Sequence, residues 1–286
     1  MTTTTALPPA RTAPLPTASR PRPGAFARVA AAEWIKFRTL RSTVWTLLAT
    51  VVLMVGVSVL AAWGTAVEAV DAGGGPMNAA QLLSAGYQLA QLAVAVLAVL
   101  TITGEYSTGM IRSTFAAVPR RVPVLAAKAL VLSAVVLVVT VVSMALSYVA
   151  TVPFHDELDV RFDLTDAETL RMTLGLPLYL VAIALLAFGI GALLRHSAGA
   201  LTAVIALLLV VENVLLLVPM RAIEVAAPFL PSTAGRRVLF DDDLVATIDA
   251  ATSGAHLTPW QGYGVLVTWA VALLALAAVL LRRRDA

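Results

Sequence analysis

Long apolar runs separated by short polar connections make up most of this 286-residue chain. A helix needs about 20 apolar residues to cross a bilayer, and six runs reach that length. We place these spans at about 43–63, 80–103, 124–151, 173–194, 198–219 and 260–281. The pattern predicts an all-α polytopic membrane protein with one transmembrane domain over residues 26–286. Residues 1–25 contain no apolar stretch, so we expect a disordered cytosolic tail.

The stretch before the first span, residues 26–41, has the pattern of an amphipathic helix that lies in the membrane interface. One face collects apolar side chains at helical spacing: Phe26, Ala30, Trp34 and Phe37. Glu33 falls on that same face, where a carboxylate needs a partner or a wet pocket. The alternative is that the Glu33 side chain extends to the lipid headgroups. The spacing leaves both alternatives open.

Charged residues are concentrated in the connection between the second and third spans. Gly104 and Gly109 bracket Glu105 and predict a sharp turn out of the second span. One face of a short helix follows, formed by Ile111, Phe115 and Val118. We therefore expect a helix lying flat under the membrane, rigidly joined to two spans. The alternative is a basic loop that only sets the membrane topology.

The basic residues predict the orientation of the chain. With a cytosolic N-terminus, 15 of the 20 lysines and arginines fall in cytosolic segments. The outside loops then hold only Arg161, Arg171, Arg221, Arg236 and Arg237. The positive-inside rule therefore predicts a multi-pass protein of the cell membrane with both termini in the cytoplasm. The net charge of +3 does not indicate a nucleic-acid partner, because the basic residues cluster at membrane edges.

Glu212 stands alone in the fifth span, within VVENVLLL. An acid at mid-bilayer costs about 2.5–3.5 kcal/mol on insertion scales, so it is a functional candidate. It lies about 10 Å from the outer end of its span, too deep for easy snorkelling. It could line a substrate path or couple transport to a proton. A structural hydrogen bond between helices is the other alternative.

The sequence contains no motif for catalysis or for binding a cofactor. No phosphate-cradling G-x-x-x-x-G-K-[ST] is present, and the two lysines, Lys36 and Lys128, lie in WIKF and AAKA. The three histidines are scattered over both sides of the membrane, and cysteine is absent. We therefore predict no catalytic, cofactor-binding or metal-binding residues and no enzyme activity in this chain.

The connection from residue 221 to 259 is the largest one predicted outside the membrane. Its Pro-broken apolar piece APFLP is too short to span the bilayer. It could enter the outer leaflet where protein covers its backbone, or it could form a plain surface loop.

Four pieces of the sequence together resemble the permease subunit of an ABC-2 type ABC transporter. They are AAEWIKFRTLRSTVWTLL, TGEYSTGMIRSTFAAVPRRVPVLAAK, APFLPSTAG and TPWQGYGVLVTWAVALLALAAVLLRRRDA. With the six-span pattern they cover most of the chain after residue 25. The acidic loop at 156–168 and the stretch Asp241, Asp242, Asp243 match no motif of that family.

The resemblance implies an elbow helix at 26–41, a cytosolic coupling helix near 105–118, and short outer-leaflet helices before the last span. It implies a complex of two permease subunits, expected to be a homodimer, with two separate ATPase subunits that bind ATP and Mg²⁺. The ATPase would dock against an elbow set and a coupling set of residues. The elbow set is Glu33, Trp34, Lys36 and Arg38. The coupling set is Gly104, Glu105, Tyr106, Gly109, Arg112, Arg120 and Arg121. The expected function is ATP-driven export. The rival is a proton-coupled secondary transporter that uses Glu212.

Overall fold

The computed structural model describes residues 25–72, 78–110, 121–216, 220–252 and 254–283. In chain order, the helices are α1 (Ala25–Thr39), α2 (Arg41–Ala72), α3 (Ala79–Ser84), α4 (Tyr87–Ser107), α5 (Arg121–Thr151), α6 (Ala167–Leu194), α7 (Ser197–Ile205), α8 (Glu212–Leu216), α9 (Arg221–Ala226), α10 (Pro231–Gly235), α11 (Asp242–Ala251) and α12 (Pro259–Arg283). A π-helical segment, Ala206–Val211, joins α7 to α8. In these ranges, extended backbone pairs only at the isolated bridge between Asn78 and Arg161.

Six helical stretches in the described ranges are long and apolar enough to cross a membrane. They are Arg41–Val67, Ala79–Ser107, Arg121–Phe154, Ala167–Leu194, Ser197–Leu215 and Pro259–Arg283. The prediction of six spans in an all-α polytopic membrane protein is therefore confirmed. Several stretches run past the predicted limits, because a helix continues into polar sequence as long as its backbone hydrogen bonds can form.

Helix α6 lies at the centre of the bundle, against α4, α5, α7 and α12. Its glycines let neighbouring helices approach closely. A Cβ atom at Gly189 would lie 2.9 Å from the Cβ of Leu273 in α12. A Cβ at Gly191 would lie 2.8 Å from Ile102 Cγ2 in α4. Small residues at helix contacts are typical of membrane bundles, where packing rather than the hydrophobic effect holds helices together.

The outer surface of the bundle is apolar over a height that matches a bilayer. Trp45 and Trp63 of α2 are 70% and 59% exposed, and Val52 and Leu60 between them are also exposed. The two tryptophans are 18 residues apart, about 27 Å along a helix. Aromatic residues at both edges of an apolar band mark the two membrane interfaces. This surface faces lipid.

Between α9 and α11 the chain forms a bent segment, defined here as residues 227–239. It contains a 3-10 turn, the five-residue helix α10 and a second 3-10 turn. Most of its side chains are buried, and it packs against α6 and α12. It is therefore part of the bundle and not a plain surface loop. The bent segment lies at the end of the bundle opposite α1.

Contact between the bent segment and α12 depends on glycine. A Cβ at Gly262 would lie 2.3 Å from the carbonyl oxygen of Ala234. We expect Gly262→Ala to destabilise the protein by about 1–2 kcal/mol, because a backbone oxygen cannot move alone. Gly264, on the same helix, has no atom within 4 Å of its Cβ position. Gly264→Ala should be neutral or slightly stabilising, since alanine favours helix.

The measurement is thermal unfolding in detergent, followed by tryptophan fluorescence. Equal melting temperatures for the two alanine variants would contradict the close approach of α10 to α12.

Candidate functional site: an ionic cluster at one end of the bundle

Two carboxylates and two ammonium groups meet where α1, α4 and α5 converge. We call Glu33, Lys36, Glu105 and Lys128 the tetrad. Lys128 Nζ donates to Glu33 Oε2 and to Glu105 Oε1, both at 2.6 Å. Lys36 Nζ donates to Glu105 Oε1 at 2.7 Å and to Glu33 Oε1 at 2.9 Å. Each charge therefore lies between two charges of opposite sign.

The inward face of α1 brings Glu33 and Lys36 to the tetrad. These residues are three apart and lie on the same side of the helix as Ala30 and Phe37, which face the core. The sequence pattern also placed Phe26 and Trp34 on this face, but they are 44% and 46% exposed. The helix turns its charged pair toward the bundle and leaves these two aromatic rings exposed, and the position of α1 in the membrane interface stays a prediction.

Burial makes the mutual pairing of the tetrad obligatory. The side chains of Lys128, Glu33 and Glu105 are 1%, 3% and 8% exposed, and that of Lys36 is 29% exposed. An isolated ion at such depth would cost several kcal/mol, so buried charges must be paired. The tetrad has no net charge when all four groups are ionised. Glu33 was expected to need a partner, and it has two, Lys36 and Lys128.

Lys36 lies outside the spans and titrates under opposing influences. Burial by itself would lower its pKa, but hydrogen bonds to Glu105 and Glu33, together with their negative charges, raise the pKa above its ordinary value of 10.5. Lys36 therefore stays charged throughout the neutral range.

The tetrad fixes the two helix ends that flank residues 111–120. Glu105 lies in the last turn of α4, which ends at Ser107, and Lys128 lies two turns into α5. Through these two side chains, α1 is bonded to both helices. Two buried polar atoms beside this junction, Glu105 Oε2 and the Tyr106 hydroxyl, have no hydrogen-bond partner among the described residues.

Other predicted site residues surround the tetrad at the same end of the bundle. Arg195 places its guanidinium 5.3 Å from the centre of the Tyr106 ring, a cation–π contact. Arg121 Nη1 donates to the carbonyl oxygen of Leu281 in α12 at 3.0 Å. Arg38 is exposed on α1. The end of α12 and the helix α1 thus lie at one end of the bundle.

The glycines of this region behave differently from each other. Gly104 lies inside α4, so the chain does not turn there. The turn comes at Gly109, whose φ of +71° is readily adopted only by glycine. Arg112, Arg120 and the apolar face at 111–118 lie outside the described residues.

Glu212 belongs to a second buried polar cluster, at the opposite end of the bundle. The residue is 2% exposed. Its Oε1 accepts from the Ser232 backbone N–H at 2.9 Å. Its Oε2 accepts from the Ser232 hydroxyl at 2.7 Å, and from the Thr233 N–H and hydroxyl at 2.5 and 2.8 Å. The sequence gives no indication that these donors come from α10.

No protein-family model matches this chain, and no curated protein matches it. The function must therefore be argued from the two clusters and from the residues that carry the family resemblance.

Lys128 is the tetrad residue that sequence reasoning missed as a site residue. It lies at the start of a long apolar run, where the sequence pattern marks it only as one of the basic residues at the cytosolic edge of the membrane. One signal could have drawn attention to it: the chain has two lysines against eighteen arginines, and both lysines belong to the tetrad. A compact ammonium can sit between two carboxylates, where a planar guanidinium would need more space.

Proposed function

We propose that this chain is the membrane-spanning permease subunit of an ATP-driven exporter of the ABC-2 type. It forms the substrate path, and a separate ATPase subunit binds ATP and Mg²⁺ and supplies the energy. The observation that carries the proposal is the tetrad, because it joins α1 to both helices that flank residues 111–120. The four sequence pieces that resemble ABC-2 permeases support the same function.

In this proposal, the coupling helix is the one that the sequence predicts near 105–118, most of which lies outside the described residues, and α1 is the elbow helix. A partner that pushes on the coupling helix displaces the end of α4 and the start of α5 together. Because Glu105 and Lys128 both bond to α1, the three helices move as one body. A buried ionic contact suits this role, since breaking it costs more than sliding an apolar contact. Force applied at one end therefore reaches the whole bundle.

The tetrad end faces the cytoplasm in this proposal. Exposed arginines at this end, among them Arg38, Arg41, Arg282 and Arg283, support that orientation through the positive-inside rule. The complex would contain two copies of this chain and two ATPase subunits in the cell membrane. The lipid-facing tryptophans of α2 fit that environment.

The test is ATP hydrolysis by a P-loop ATPase from the same genomic neighbourhood, co-purified with this chain in nanodiscs. We expect the chain to change the vanadate-sensitive hydrolysis rate. In the double variant Glu105→Gln with Arg112→Ala, the change that the chain causes in the hydrolysis rate should be about tenfold smaller. The reason is that charge-assisted hydrogen bonds contribute about 1.5–3 kcal/mol each. A matched double variant, Glu157→Gln with Arg161→Ala, makes the same chemical changes at the opposite end and should behave as wild type.

Two outcomes would contradict this function. One is wild-type assembly and hydrolysis with the Glu105 and Arg112 double variant. The other is cargo movement in vesicles that is driven by a proton gradient without any ATPase, which would favour a secondary transporter that uses Glu212.

A further inference from the structure

Helix α10 cannot satisfy its own N-terminus. The residue before it is Leu230, whose side chain has no acceptor, and Pro231 opens the first turn. The next two N–H groups, of Ser232 and Thr233, both donate to the Glu212 carboxylate, from a residue about twenty positions earlier. We call this contact the Glu212 cap. An N-terminal acceptor is usually supplied by the residue just before the helix, so this cap ties α10 to a different helix.

The π-helical segment aims Glu212 into the bundle. The Glu212 N–H bonds to the carbonyl of Leu207, five residues back, where an α-helix would use the fourth. A π turn adds one residue and so rotates everything after it by about 100°. The neighbouring Val210, Val211 and Val214 are 54%, 39% and 49% exposed, whereas Glu212 is 2% exposed. This local distortion places one carboxylate inward among lipid-facing valines.

A further buried hydrogen bond joins two helices in the bundle core. Tyr179 of α6 donates its hydroxyl to Gln91 Oε1 of α4 at 2.6 Å. This bond joins α6 to α4, and the Glu212 cap separately joins α8 to α10. The rest of the bent segment is held by packing, such as Val238 against Gly175, and by hydrogen bonds that Arg237 donates to Leu257 and Asp249 and that Trp269 donates to the Phe229 carbonyl oxygen.

We propose that Glu212 is a positioning residue that holds the bent segment closed across its end of the bundle. Without the carboxylate, the N–H groups of Ser232 and Thr233 have no buried acceptor. A buried unsatisfied donor costs about 1–3 kcal/mol. The two N–H groups avoid this cost when the segment moves outward, because water then accepts their hydrogen bonds. Loss of the Glu212 cap thus opens this end locally while the helices stay packed. That this opening is the exit step of transport rests on the proposed function, but the closure does not.

The absence of cysteine from the chain gives a direct test without background labelling. Val238 is 0% exposed, so Val238→Cys places a thiol of similar size on the hidden face of the bent segment. Its reaction with a water-soluble maleimide is followed in nanodiscs, where both faces are accessible and no ATPase is present. We expect Glu212→Gln to accelerate labelling about tenfold, because an amide offers one acceptor oxygen in place of two.

The controls separate local opening from unfolding. Leu186→Cys places a thiol in the core of α6, where Leu186 is 0% exposed, and its labelling should not change with Glu212→Gln. Phe229→Cys, at a residue 44% exposed, reports that the reagent is active. Glu157→Gln removes an exposed carboxylate and should leave Val238→Cys slow. Ser232→Ala with Thr233→Val removes only the two hydroxyl donors and should accelerate labelling by a smaller factor.

Two results would overturn the proposal. Unchanged labelling at position 238 would show that the carboxylate does not hold the segment. Equal acceleration at positions 238 and 186 would show general unfolding. Neither result bears on whether an ATPase drives the chain, so failure here leaves the proposed function standing.

Discussion

Replacing Lys128 with methionine should destabilise the bundle by about 3–5 kcal/mol. Lys128 is the most deeply buried member of the tetrad, and its ammonium bonds to Glu33 and to Glu105. Methionine keeps similar length and volume but leaves two carboxylates to share Lys36. Removing one partner from a buried ionic group leaves an uncompensated charge, which is the costly part. The readout is chemical unfolding in detergent, followed by tryptophan fluorescence.

A second change should restore much of the loss. Adding Glu105→Gln to Lys128→Met returns the cluster to no net charge, with Lys36 still paired to Glu33. We expect the double variant to be more stable than Lys128→Met alone. Arg38→Met changes an exposed charge on the same end of the bundle and should stay within about 0.5 kcal/mol of wild type. Strict additivity of the two tetrad changes would contradict direct coupling between Lys128 and Glu105.

The six spans could be predicted from sequence because the bilayer imposes a strong and simple constraint. Every backbone polar group in lipid must be satisfied internally, so long apolar runs become helices. The limits of the helices were less predictable, since hydropathy marks the membrane edge and not the end of the hydrogen-bonded helix. Helix α2, for example, begins at Arg41 and not at Thr43.

The tetrad could be predicted in part. Glu33 on an apolar face implied a partner, and Glu105 was singled out beside the turn. The partner itself could not be named, because Glu33 and Lys128 are 95 residues apart and only the packing of α1 on α5 brings them together. A single sequence carries no information on that register. Lys128, an isolated lysine in an apolar run, also implied a buried charge that needs a partner, but less strongly than Glu33 did.

The surroundings of Glu212 were less predictable still. Hydropathy identified an intramembrane acid that needed relief, but two features decide how it is satisfied. One is the π-helical segment, for which the run of alanine, leucine and valine gives no sequence signal. The other is the return of Ser232 and Thr233 into the bundle, which depends on the close approach of Gly262 to Ala234.

The two polar clusters have different mechanical consequences. The tetrad joins α1, α4 and α5 through buried ion pairs. Separating any of these helices would leave a buried charge unpaired, so that end behaves as a rigid unit. At the opposite end, the Glu212 carboxylate accepts from two N–H groups of the short helix α10, and Arg237 and Trp269 add hydrogen bonds to the bent segment. A bundle with one rigid end and one releasable end can convert a push at the first into an opening at the second. This asymmetry is compatible with the exporter function proposed above.

Arg237→Met should release α11 from the bundle at a cost of roughly 2–3 kcal/mol. The Arg237 guanidinium is buried and bonds to Asp249 Oδ1 at 2.6 Å and to the Leu257 carbonyl oxygen at 2.8 Å. It therefore ties the bent segment both to α11 and to the loop that precedes α12. Without it, Asp249 loses a charge-assisted bond and the Leu257 carbonyl loses a donor. Asp249 is 21% exposed, so water offsets part of the loss.

The measurement is amide hydrogen exchange over residues 242–251, which should become at least tenfold faster while exchange in α6 is unchanged. The matched control is Arg161→Met, which breaks the exposed pair between Arg161 and Asp159, 71% and 62% exposed. Exposed pairs contribute about 0–1 kcal/mol, so this variant should exchange as wild type does. If Arg237→Met and Arg161→Met give the same exchange, the buried arginine does not anchor α11.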